Sequence, residues 1–527
     1  MDSGAADDVV AGCVGAPGGA SMSFGMKTFY NGTSFNRTEI PMPDNDTFFQ
    51  GVLDAISAGW RVCSYFGVPN ADGATLYCIM SARSGRGTLG IVATTVGRSF
   101  PSLASACPQL HLFEREIAEQ CLTRPEGHPW FKPVRFQKPL CEGEGFWSGS
   151  DGGGLLPAVM DFYRVEGDEV HEVAVGPVHA GIIEPGHFRF QCHGEEVFHL
   201  EIALGFQHRG IERELIGGPT LRTVHQMETI AGDTTIGHGQ AYCMNMESLG
   251  GVFTSPRAET VRGIALELER LANHTGDLGA IAGDVGYLPT ASFCGRIRGD
   301  FLNMTALLCG SRFGRGLLRP GGIGYDCDAA LVDELYKRLH AAREDLAGAV
   351  ALLWDSPSVM ARLEDTGTVS EADAREIGLV GPAARACGLN RDVRRDHPFG
   401  IFRMSQIPVI TATTCDVAAR TLLRWLEAER SLDFIDEQVR HLPRGTYRNQ
   451  MKAIAPERCA VALTEGWRGE ICHVALTDEL GRFERYKIVD PSFHNWNGLG
   501  LALRGQQISD FPLCNKSFNL SYCGFDL

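Results

Sequence analysis

The chain has 527 residues, a formal net charge of −16, and 44% hydrophobic against 21% charged residues. This length exceeds what one compact core accommodates, so two or three domains are expected, and the composition is that of a folded protein. The acidic balance and the lack of clustered lysine and arginine argue against nucleic acid as a partner, because such binding needs cations that displace counterions.

Membrane insertion and export are not expected. The longest apolar stretches, such as 347–354, fall far short of the roughly 18–20 residues that cross a bilayer, and the chain starts without a basic segment followed by an apolar one. The 17 cysteines therefore predict a reducing compartment. The closest pair, Cys514 and Cys523, lies nine positions apart. Because zinc ribbons, iron–sulfur clusters and redox motifs need closer pairs, no such cluster is expected in this chain.

At the N-terminus the sequence predicts a flexible segment followed by a small domain. Residues 1–44 begin with small residues and are predicted to be flexible. Residues 45–137 predict an α/β domain, with strands in 74–80 and 87–96 and an amphipathic helix in 110–122.

A linker and a larger domain follow. Residues 138–167 are rich in glycine and serine, lack a hydrophobic period and predict the linker. Residues 168–527 begin with strand-like alternation broken by proline and glycine, which is typical of hairpins. The Ser-Pro pair at 255–256 predicts the start of a helix, and 328–354 and 415–441 predict further long helices. The expected fold class is α+β, with a small N-terminal α/β domain and an α+β domain that has a helical core.

Two stretches carry a family resemblance. The first, FPSLASACPQLHLFEREIAEQC with PEGHPWFKPVRF, lies within 100–136 and resembles the 30-kilodalton subunit of respiratory complex I. The second runs from GPVHAGIIEPGHFRF (176–190) to ELERLANHTGDLG (267–279). It resembles the large subunit of group 4 nickel–iron hydrogenases and the related 49-kilodalton subunit of complex I. Joined in one chain, the two resemble the large subunit of formate-hydrogenlyase-type complexes.

The resemblance also indicates that a metal site has lost its ligands. Active nickel–iron hydrogenases hold their metals with four thiolates, in a Cys-Gly-x-Cys and an Asp-Pro-Cys-x-x-Cys motif. Here the two frames read AGDT (231–234) and DPSFHN (490–495). Nickel beside iron needs soft anionic sulfur, so we expect no metal in this chain and no turnover of hydrogen. The former metal-ligand positions are Ala231, Thr234, Ser492 and Asn495.

Five residues of the vacated pocket are implied as its site. Glu184 matches the glutamate that relays protons beside the nickel, and Arg468 matches the arginine that overhangs the metal. His187 lies in the first hairpin, with which complex I reaches its quinone headgroup. His238 follows the early motif by the family spacing. Asp233 lies between two former ligand positions and is expected to supply charge where hydrogenases have the metal.

Structural roles compete with these assignments. Glu184 next to proline and glycine is also typical of a solvated turn residue, and His238 of a histidine packed in a helix interface. Arg468 is also a plausible ion-pair partner of Glu465 or Glu470. For charged residues of two further segments we expect a structural role, namely for His208, Arg209, Glu212, Glu267, Arg270, His274 and Asp277. The glycine-rich segment 310–324 and the C-terminal tail after Asn495 are expected to pack on the large domain.

The resemblance implies partners and a location. A 4Fe–4S cluster is expected in a partner iron–sulfur small subunit like the 20-kilodalton subunit of complex I, with no cofactor in this chain other than a bound quinone. Membrane antiporter-like subunits are expected to attach the chain peripherally to the cytoplasmic side of the membrane.

Three functional hypotheses follow. The first is an electron-transfer subunit of a membrane-associated respiratory oxidoreductase, NADH:quinone oxidoreductase- or formate-hydrogenlyase-like, whose metal-free pocket takes a quinone-like acceptor or undergoes a proton-coupled rearrangement. Complex I often uses a tyrosine for the quinone, and here Tyr242 is the nearest one by sequence. The second is a non-catalytic scaffold that docks the small subunit to a membrane arm. The third, a hydrogenase with non-standard ligands such as Cys243, Cys472 or Cys514, is disfavoured by the geometry that metal ligands need.

Overall fold

The computed structural model describes residues 25–82, 87–147, 156–179 and 183–527. Helices and sheets alternate along these residues, and all the sheets except the β6–β7 pair are antiparallel, so the α+β fold class is confirmed at that level. The strands predicted at 74–80 and 87–96 and the helix predicted at 110–122 are all present. The N-terminal elements are β1 (Lys27–Tyr30), β2 (Thr33–Asn36), α1 (Asn45–Ser57), β3 (Arg61–Pro69), β4 (Ala74–Ser81), β5 (Thr88–Val96), β6 (Ser99–Pro101), α2 (His111–Cys121) and β7 (Arg124–Glu126).

The larger part begins with a hairpin sheet, continues through long helices and ends in a second sheet and a helical tail. Its strands are β8 (Val170–Val175), β9 (His187–His193), β10 (Glu196–Ala203), β11 (Leu318–Arg319), β12 (Gly322–Ile323), β13 (Arg458–Gly466), β14 (Gly469–Thr477) and β15 (Phe483–Val489). Its helices are α3 (Ile211–Glu214), α4 (Thr223–Met227), α5 (Thr235–Gly250), α6 (Pro256–Asp284), α7 (Leu288–Cys309), α8 (Ala329–Trp354), α9 (Pro357–Leu363), α10 (Glu371–Glu376), α11 (Gly381–Arg385), α12 (Val393–Asp396), α13 (Val417–Arg440), α14 (Pro491–Ala502), α15 (Phe511–Phe518) and α16 (Tyr522–Asp526).

The start of the described chain differs from the predicted flexible segment 1–44. Strand β1 pairs with β5, which gives an N-terminal sheet in the order β1-β5-β4-β3, and β2 pairs with β13 in the sheet β15-β14-β13-β2. The buried rings of Phe29 and Phe35 lie 5.0 Å apart between these strands. Each of β1 and β2 is only four residues long, and the partner of β2 lies more than 400 residues away in the chain. No local sequence pattern therefore predicts these two strands. Residues 1–24 lie outside the described part of the chain.

The segment 138–167, predicted as a linker, is described in part, and the predicted long helices are present. Residues 138–147 and 156–167 contain no helix or strand. Helix α6 begins as predicted, because the Ser255 hydroxyl accepts a hydrogen bond from the Ala258 N–H at 3.1 Å and Pro256 occupies the first turn. The two other long helices are confirmed as α8 and α13.

Helix α6 is the centre of the helical core, and its charged residues are buried as well as its apolar ones. It packs against both α7 and α13. The charged residues Glu267 and Arg270 are fully buried. Glu267 accepts hydrogen bonds from Arg270, Arg394 and Ser431 at 2.6–3.0 Å. Neighbours therefore surround the helix on all sides, and ion pairs compensate the charges on its polar face.

The second sheet positions the site. Helix α5 packs on β13 and β14, and a two-residue turn joins these two strands between Gly466 and Gly469. A side chain at Gly469 would come within 2.7 Å of the Gly381 nitrogen, and Gly469 has a φ of +132°. The turn is therefore held against α11, and it presents Trp467 and Arg468 beside the N-terminus of α5.

Candidate functional site

A cavity of about 970 Å³ lies where the β8–β9 connection, the loop before α5, helix α6, the β13–β14 turn and the tail from 508 to 523 converge. Three of the five predicted site residues, Glu184, Asp233 and Arg468, line this cavity. His187 and His238 do not belong to its wall. The aromatic members of the wall are Phe188, Phe190, Phe313, Phe511 and Tyr522, and ionisable members beyond the predicted ones include Asp277, Arg315, Lys516 and Cys523.

Arg468 and Asp233 form a bidentate ion pair at the cavity wall. The Arg468 Nη1 and Nη2 atoms donate to Oδ1 and Oδ2 of Asp233 at 2.6 and 2.8 Å. The guanidinium also stacks on the Trp467 ring, with its carbon 3.9 Å from the ring centroid. Burial by itself raises the pKa of Asp233, but the facing Arg468 holds that pKa below its ordinary value. Both groups are therefore charged, and the pair fixes the direction of the guanidinium.

The glutamates considered as partners of Arg468 are paired elsewhere. Glu465 accepts a hydrogen bond from Arg385 at 2.8 Å, and Glu470 pairs with Arg61. Arg468 does have an ion-pair partner, but it is Asp233, which the sequence indicated only as a charge in the place of the metal.

Glu184 is half-buried and contacts the C-terminal tail. Its Oε2 accepts a hydrogen bond from the Tyr522 backbone N–H at 3.4 Å. The Cys523 thiol is also adjacent, since burial raises the pKa of Cys523 to about 11 with the Glu184 charge as the next cause. Glu184 therefore faces the cavity, although it lies in a connection rich in proline and glycine.

Asp277 on α6 lines the same cavity, which its predicted structural role did not anticipate. Burial raises the pKa of Asp277 to about 6. Its Oδ2 lies 3.0 Å from the Arg424 Nε, and its Oδ1 accepts a hydrogen bond from the Asn519 side chain. A carboxyl with such a pKa can both hold and release a proton near neutral pH.

His238 belongs to a buried chain of hydrogen bonds behind the cavity. Its Nε2 lies 3.0 Å from the Asp490 Oδ2, and its Nδ1 lies 3.1 Å from the His473 Nε2. The His473 Nδ1 in turn lies 3.1 Å from the Tyr486 hydroxyl. Burial lowers the pKa of His473 well below its ordinary value, so this ring is neutral. We call these four residues the buried relay.

His187 begins β9 and is buried in a local contact. Its Nδ1 lies 3.3 Å from the Gly176 carbonyl, and its Nε2 accepts a hydrogen bond from the Arg189 Nε at 3.3 Å. The ring also packs 5.2 Å from the Phe162 ring. Burial lowers the pKa of His187. These contacts fit a neutral histidine that holds the hairpin.

The four positions expected to match the metal ligands of hydrogenases are all buried, and three of them make internal side-chain hydrogen bonds. The Thr234 hydroxyl accepts a hydrogen bond from the Trp467 indole at 3.1 Å. The Ser492 hydroxyl accepts one from the Ser521 N–H at 2.9 Å. The last of the four positions carries an amide that exchanges hydrogen bonds of 3.0 and 3.1 Å with the Val380 backbone. The buried residues at these positions are Ala231, Thr234, Ser492 and Asn495.

The tail supplies a tyrosine that the sequence did not indicate. Tyr522 lines the cavity, and its buried hydroxyl has no hydrogen-bond partner among the described residues. Burial raises the pKa of Tyr522 to about 12. Tyr242, in contrast, lies in the core with its ring 6.3 Å from that of Tyr486. The sequence predicted only that the tail after Asn495 packs on the large domain, and its helices α15 and α16 do contain buried residues.

The residues with predicted structural roles mostly have them. Glu212 is buried between Arg485 and Lys487, at 2.8 and 3.0 Å. Arg209 donates to the Thr229 carbonyl at 2.6 Å, and the His208 Nδ1 lies 2.8 Å from the Asp526 carbonyl. These contacts tie the segment after β10 to β15, to the loop before α5 and to the C-terminus.

The described residues contain neither a cluster of potential metal ligands nor a membrane-spanning helix. In this part of the chain, no three His, Cys, Asp or Glu side chains are grouped so that they could hold a metal ion. Likewise, none of the helices described above combines the length and the apolar character that crossing a membrane requires.

Comparisons with known proteins identify the family. Carbon monoxide-induced hydrogenase of Rhodospirillum rubrum is 31% identical over 350 residues, which cover 66% of this chain and 97% of that protein. Formate hydrogenlyase subunit 5 of Escherichia coli is 30% identical over 69% of this chain, and the match spans 64% of that relative. NADH-quinone oxidoreductase subunit 4 of Thermus thermophilus is 28% identical over 65% of this chain and 90% of its own length.

Residues 284–526 also match the family described as the 49 kDa subunit of respiratory-chain NADH dehydrogenase. The chain therefore belongs to the family of large subunits that unites group 4 hydrogenases with complex I. The relatives are hydrogenases and subunits of oxidoreductases, in agreement with the resemblance that the motifs indicated.

Proposed function

We propose that this chain is the electron-transfer subunit of a membrane-associated respiratory oxidoreductase complex, and that its cavity receives a quinone-like acceptor. One observation carries the proposal: aromatic side chains share the wall of a cavity of about 970 Å³ with Glu184, Asp277 and Arg468. This volume falls within the range of about 300–1,000 Å³ that is typical of small-molecule pockets. The aromatic surfaces suit the apolar ring of a quinone, and the polar groups suit its two carbonyl oxygens.

The polar groups of the wall match the chemistry of quinone reduction. A quinone takes up two electrons and two protons to become a quinol, so two proton donors are needed within reach. We assign these roles to Asp277, whose pKa of about 6 suits a donor, and to Glu184. Arg468 is assigned the hydrogen bond to a carbonyl oxygen, while Asp233 holds the guanidinium in place. The electrons are assigned to a 4Fe–4S cluster in a partner small subunit.

The buried relay is assigned a proton-coupled rearrangement behind the cavity. Burial alone raises the pKa of Asp490, but the hydrogen bond from His238 and the nearby Arg468 charge hold that pKa below its ordinary value. Because Asp490 interacts with both groups, movement of a proton along the relay changes the electrostatic field at Arg468.

Nickel does not fit this site. Of the residues in the former ligand positions, Ala231 offers no donor atom, and the hydroxyls of Thr234 and Ser492 are neutral and hard. The side-chain oxygens at three of these positions also accept hydrogen bonds already, from an indole N–H and from two backbone N–H groups. No step of the proposed reaction involves nickel.

Partner subunits complete the proposal. Two exposed apolar side chains, Val178 and Ile183, lie in the β8–β9 connection at 87% and 48% exposure. Phe313, at 41% exposure, lines the same cavity as Ile183. Apolar groups exposed around a cavity suit an interface. We assign this region to the iron–sulfur small subunit, and assign attachment to the membrane to antiporter-like subunits.

The test uses the assembled complex purified with its partner subunits. We expect Glu184→Gln, Asp277→Asn and Arg468→Ala each to lower the rate of electron transfer to a soluble quinone at least tenfold, while subunit composition stays unchanged. The matched controls are Glu334→Gln and Arg338→Ala, an exposed ion pair on α8 with 2.7 Å between its charged atoms. These controls are expected to leave the rate unaltered.

The scaffold hypothesis makes the opposite prediction. If the complex assembles and none of the three cavity variants changes the rate, the cavity takes no part in electron transfer and the chain serves only to dock its partners. A binding assay separates the two roles further, because a quinone analogue should protect the wild-type cavity, and not that of Arg468→Ala, from modification of Cys523.

A further inference from the structure

A second cavity, of about 260 Å³, lies at the junction between the N-terminal sheet and the larger part of the chain. Arg61 of β3 and Ser81 of β4 form one part of its wall, and residues 388–393 form another. It shares no lining residue with the cavity of the proposed function. Whatever binds here therefore contacts both parts of the protein.

The acidic side chains of this second cavity all have cationic partners. Glu470 pairs with Arg61. The remaining three pairs have distances of 2.6–2.8 Å between charged atoms. They are Asp392 with Arg394, Asp396 with Arg395, and Glu465 with Arg385. The cation Arg375, also in the wall, pairs with Glu371.

Arg391 differs from the two other arginines of this wall, Arg61 and Arg375, which both form ion pairs. Within the described residues its guanidinium makes no ion pair, and its Nη1 is buried without a hydrogen-bond partner. Burial lowers the pKa of Arg391 to about 10, and the cations Arg61 and Arg375 add to that effect. A guanidinium with a buried, unsatisfied N–H is costly unless an acceptor binds to it.

The chemistry of the wall indicates which kind of ligand suits Arg391. One unpaired guanidinium suits a ligand with one negative charge, and its planar fork of N–H groups matches a carboxylate through two parallel hydrogen bonds. The rest of the wall includes aliphatic side chains, which suit a short hydrocarbon part. These are Leu379, Val380, Leu389 and Val393. The volume lies just below that of typical pockets for drug-sized ligands, so the ligand is small.

We propose that this second cavity binds a short-chain monocarboxylate, whose two oxygens accept hydrogen bonds from Arg391 and whose hydrocarbon part lies against the aliphatic side chains. By neutralising a cation at the junction, the ligand stabilises the packing of the N-terminal sheet on the larger part. The inference is independent of the quinone proposal, because it depends on different residues.

The test measures the melting temperature of the purified full-length protein in sodium chloride, acetate, butyrate or phosphate at equal ionic strength. We expect butyrate to raise the melting temperature by about 1–2 °C in a saturable manner, since ligand binding to the folded state stabilises it. Acetate should have a smaller effect, because it leaves the aliphatic wall uncovered. Phosphate should resemble chloride.

Variants assign the effect to Arg391. Arg391→Gln should abolish the butyrate-dependent rise and should itself melt higher than wild type in chloride, because a cation with a buried, unsatisfied N–H is gone. The control Arg338→Gln removes an exposed arginine on α8 and should retain the full rise. Should Arg391→Gln fail to fold, Arg391→Lys serves instead, with at least tenfold weaker butyrate binding expected by calorimetry.

Three results would overturn the proposal. They are a butyrate effect that survives in Arg391→Gln, unweakened butyrate binding in Arg391→Lys, and a wild-type protein that melts at the same temperature in butyrate and chloride. A rise with phosphate equal to that with butyrate would overturn the assignment to a carboxylate.

Discussion

The Arg468 guanidinium and the Asp233 carboxylate meet through two parallel hydrogen bonds of 2.6 and 2.8 Å, although 235 positions separate them in the chain. The pair joins the β13–β14 turn to the loop before α5. In the proposed function it also fixes a hydrogen-bond donor at the cavity wall. One side chain of the pair is nearly inaccessible, since Arg468 is 4% exposed, while Asp233 is 32% exposed.

Breaking this pair from the acidic side should destabilise the protein. Asp233→Asn leaves the buried guanidinium without a counter-charge, and we expect a loss of about 2 kcal/mol in the free energy of unfolding. Arg468→Gln should cost less, because the more exposed Asp233 retains contact with water. A double-mutant cycle with both substitutions, measured by chemical denaturation, should give a coupling energy of about 1–2 kcal/mol. Additive effects of the two substitutions would contradict the pairing.

The sequence located much of this site because its motifs place residues by family spacing. Glu184, Asp233 and Arg468 all line the cavity, and each was identified from a short motif. His238, also identified in this way, belongs to the relay behind the cavity. Spacing along a motif carries no information about which side of a helix or strand faces the cavity, so it did not separate His238 from the three lining residues.

Long-range contacts account for what the sequence left out. Tyr522 reaches Glu184 across 338 positions, and β2 pairs with β13 across more than 400. Arg270 and Asp277 are both charged residues of α6, seven positions apart, yet Arg270 is buried against the β13 backbone whereas Asp277 faces the cavity. Such differences depend on the packing of several elements, which local periodicity does not encode.

The pH dependence of electron transfer should reflect Asp277. A proton donor with a pKa of about 6 is protonated below that pH, so the rate of quinone reduction should fall as the pH rises through about 6. Asp277→Asn should lower the rate and remove this inflection. The measurement is a pH profile of the assembled complex with a soluble quinone. An unchanged inflection in the variant would assign the proton to another group.

The pH dependence of stability should reflect buried histidines, of which His494 is the best placed for a test. Burial lowers the pKa of His494 to about 4, with the Arg61 charge as the next cause. The unfolded chain has an ordinary histidine pKa of about 6.5. Between about pH 6.5 and pH 4 it therefore binds a proton at this histidine, whereas the folded state does not. Stability is complete above about pH 6.5 and is lost as the pH falls towards 4.

His494→Gln should reduce that loss. Between pH 6.5 and pH 4.5, one such histidine contributes about 2–3 kcal/mol to the change in the free energy of unfolding. We expect the variant to lose less stability than wild type by about this amount, measured by urea denaturation at the two pH values. His441→Gln, which alters an exposed histidine, is the control and should leave the pH dependence as in wild type.

A close approach between α16 and Asp490 should make Gly524 intolerant of a side chain. A methyl group at Gly524 would lie 2.7 Å from the Asp490 carboxylate, which is closer than such atoms pack. Gly524→Ala should therefore destabilise the protein by about 1–3 kcal/mol and displace Asp490 from His238. In the matched control Gly348→Ala, the methyl group meets nothing within 4 Å in the middle of α8, and about 0.5–1 kcal/mol of stabilisation is expected.

The absence of cysteine from the four motif positions predicts the metal content of the purified complex. Thr234 and Ser492 present neutral oxygens that already accept hydrogen bonds, and Ala231 presents no donor, so nickel should remain far below one atom per chain even in cells supplied with the metal. Elemental analysis and infrared spectroscopy check this together. Nickel in a one-to-one ratio, or infrared bands of metal-bound cyanide or carbon monoxide, would reveal a bimetallic centre held by other ligands. Such a centre would contradict the proposal that a quinone reacts in this cavity.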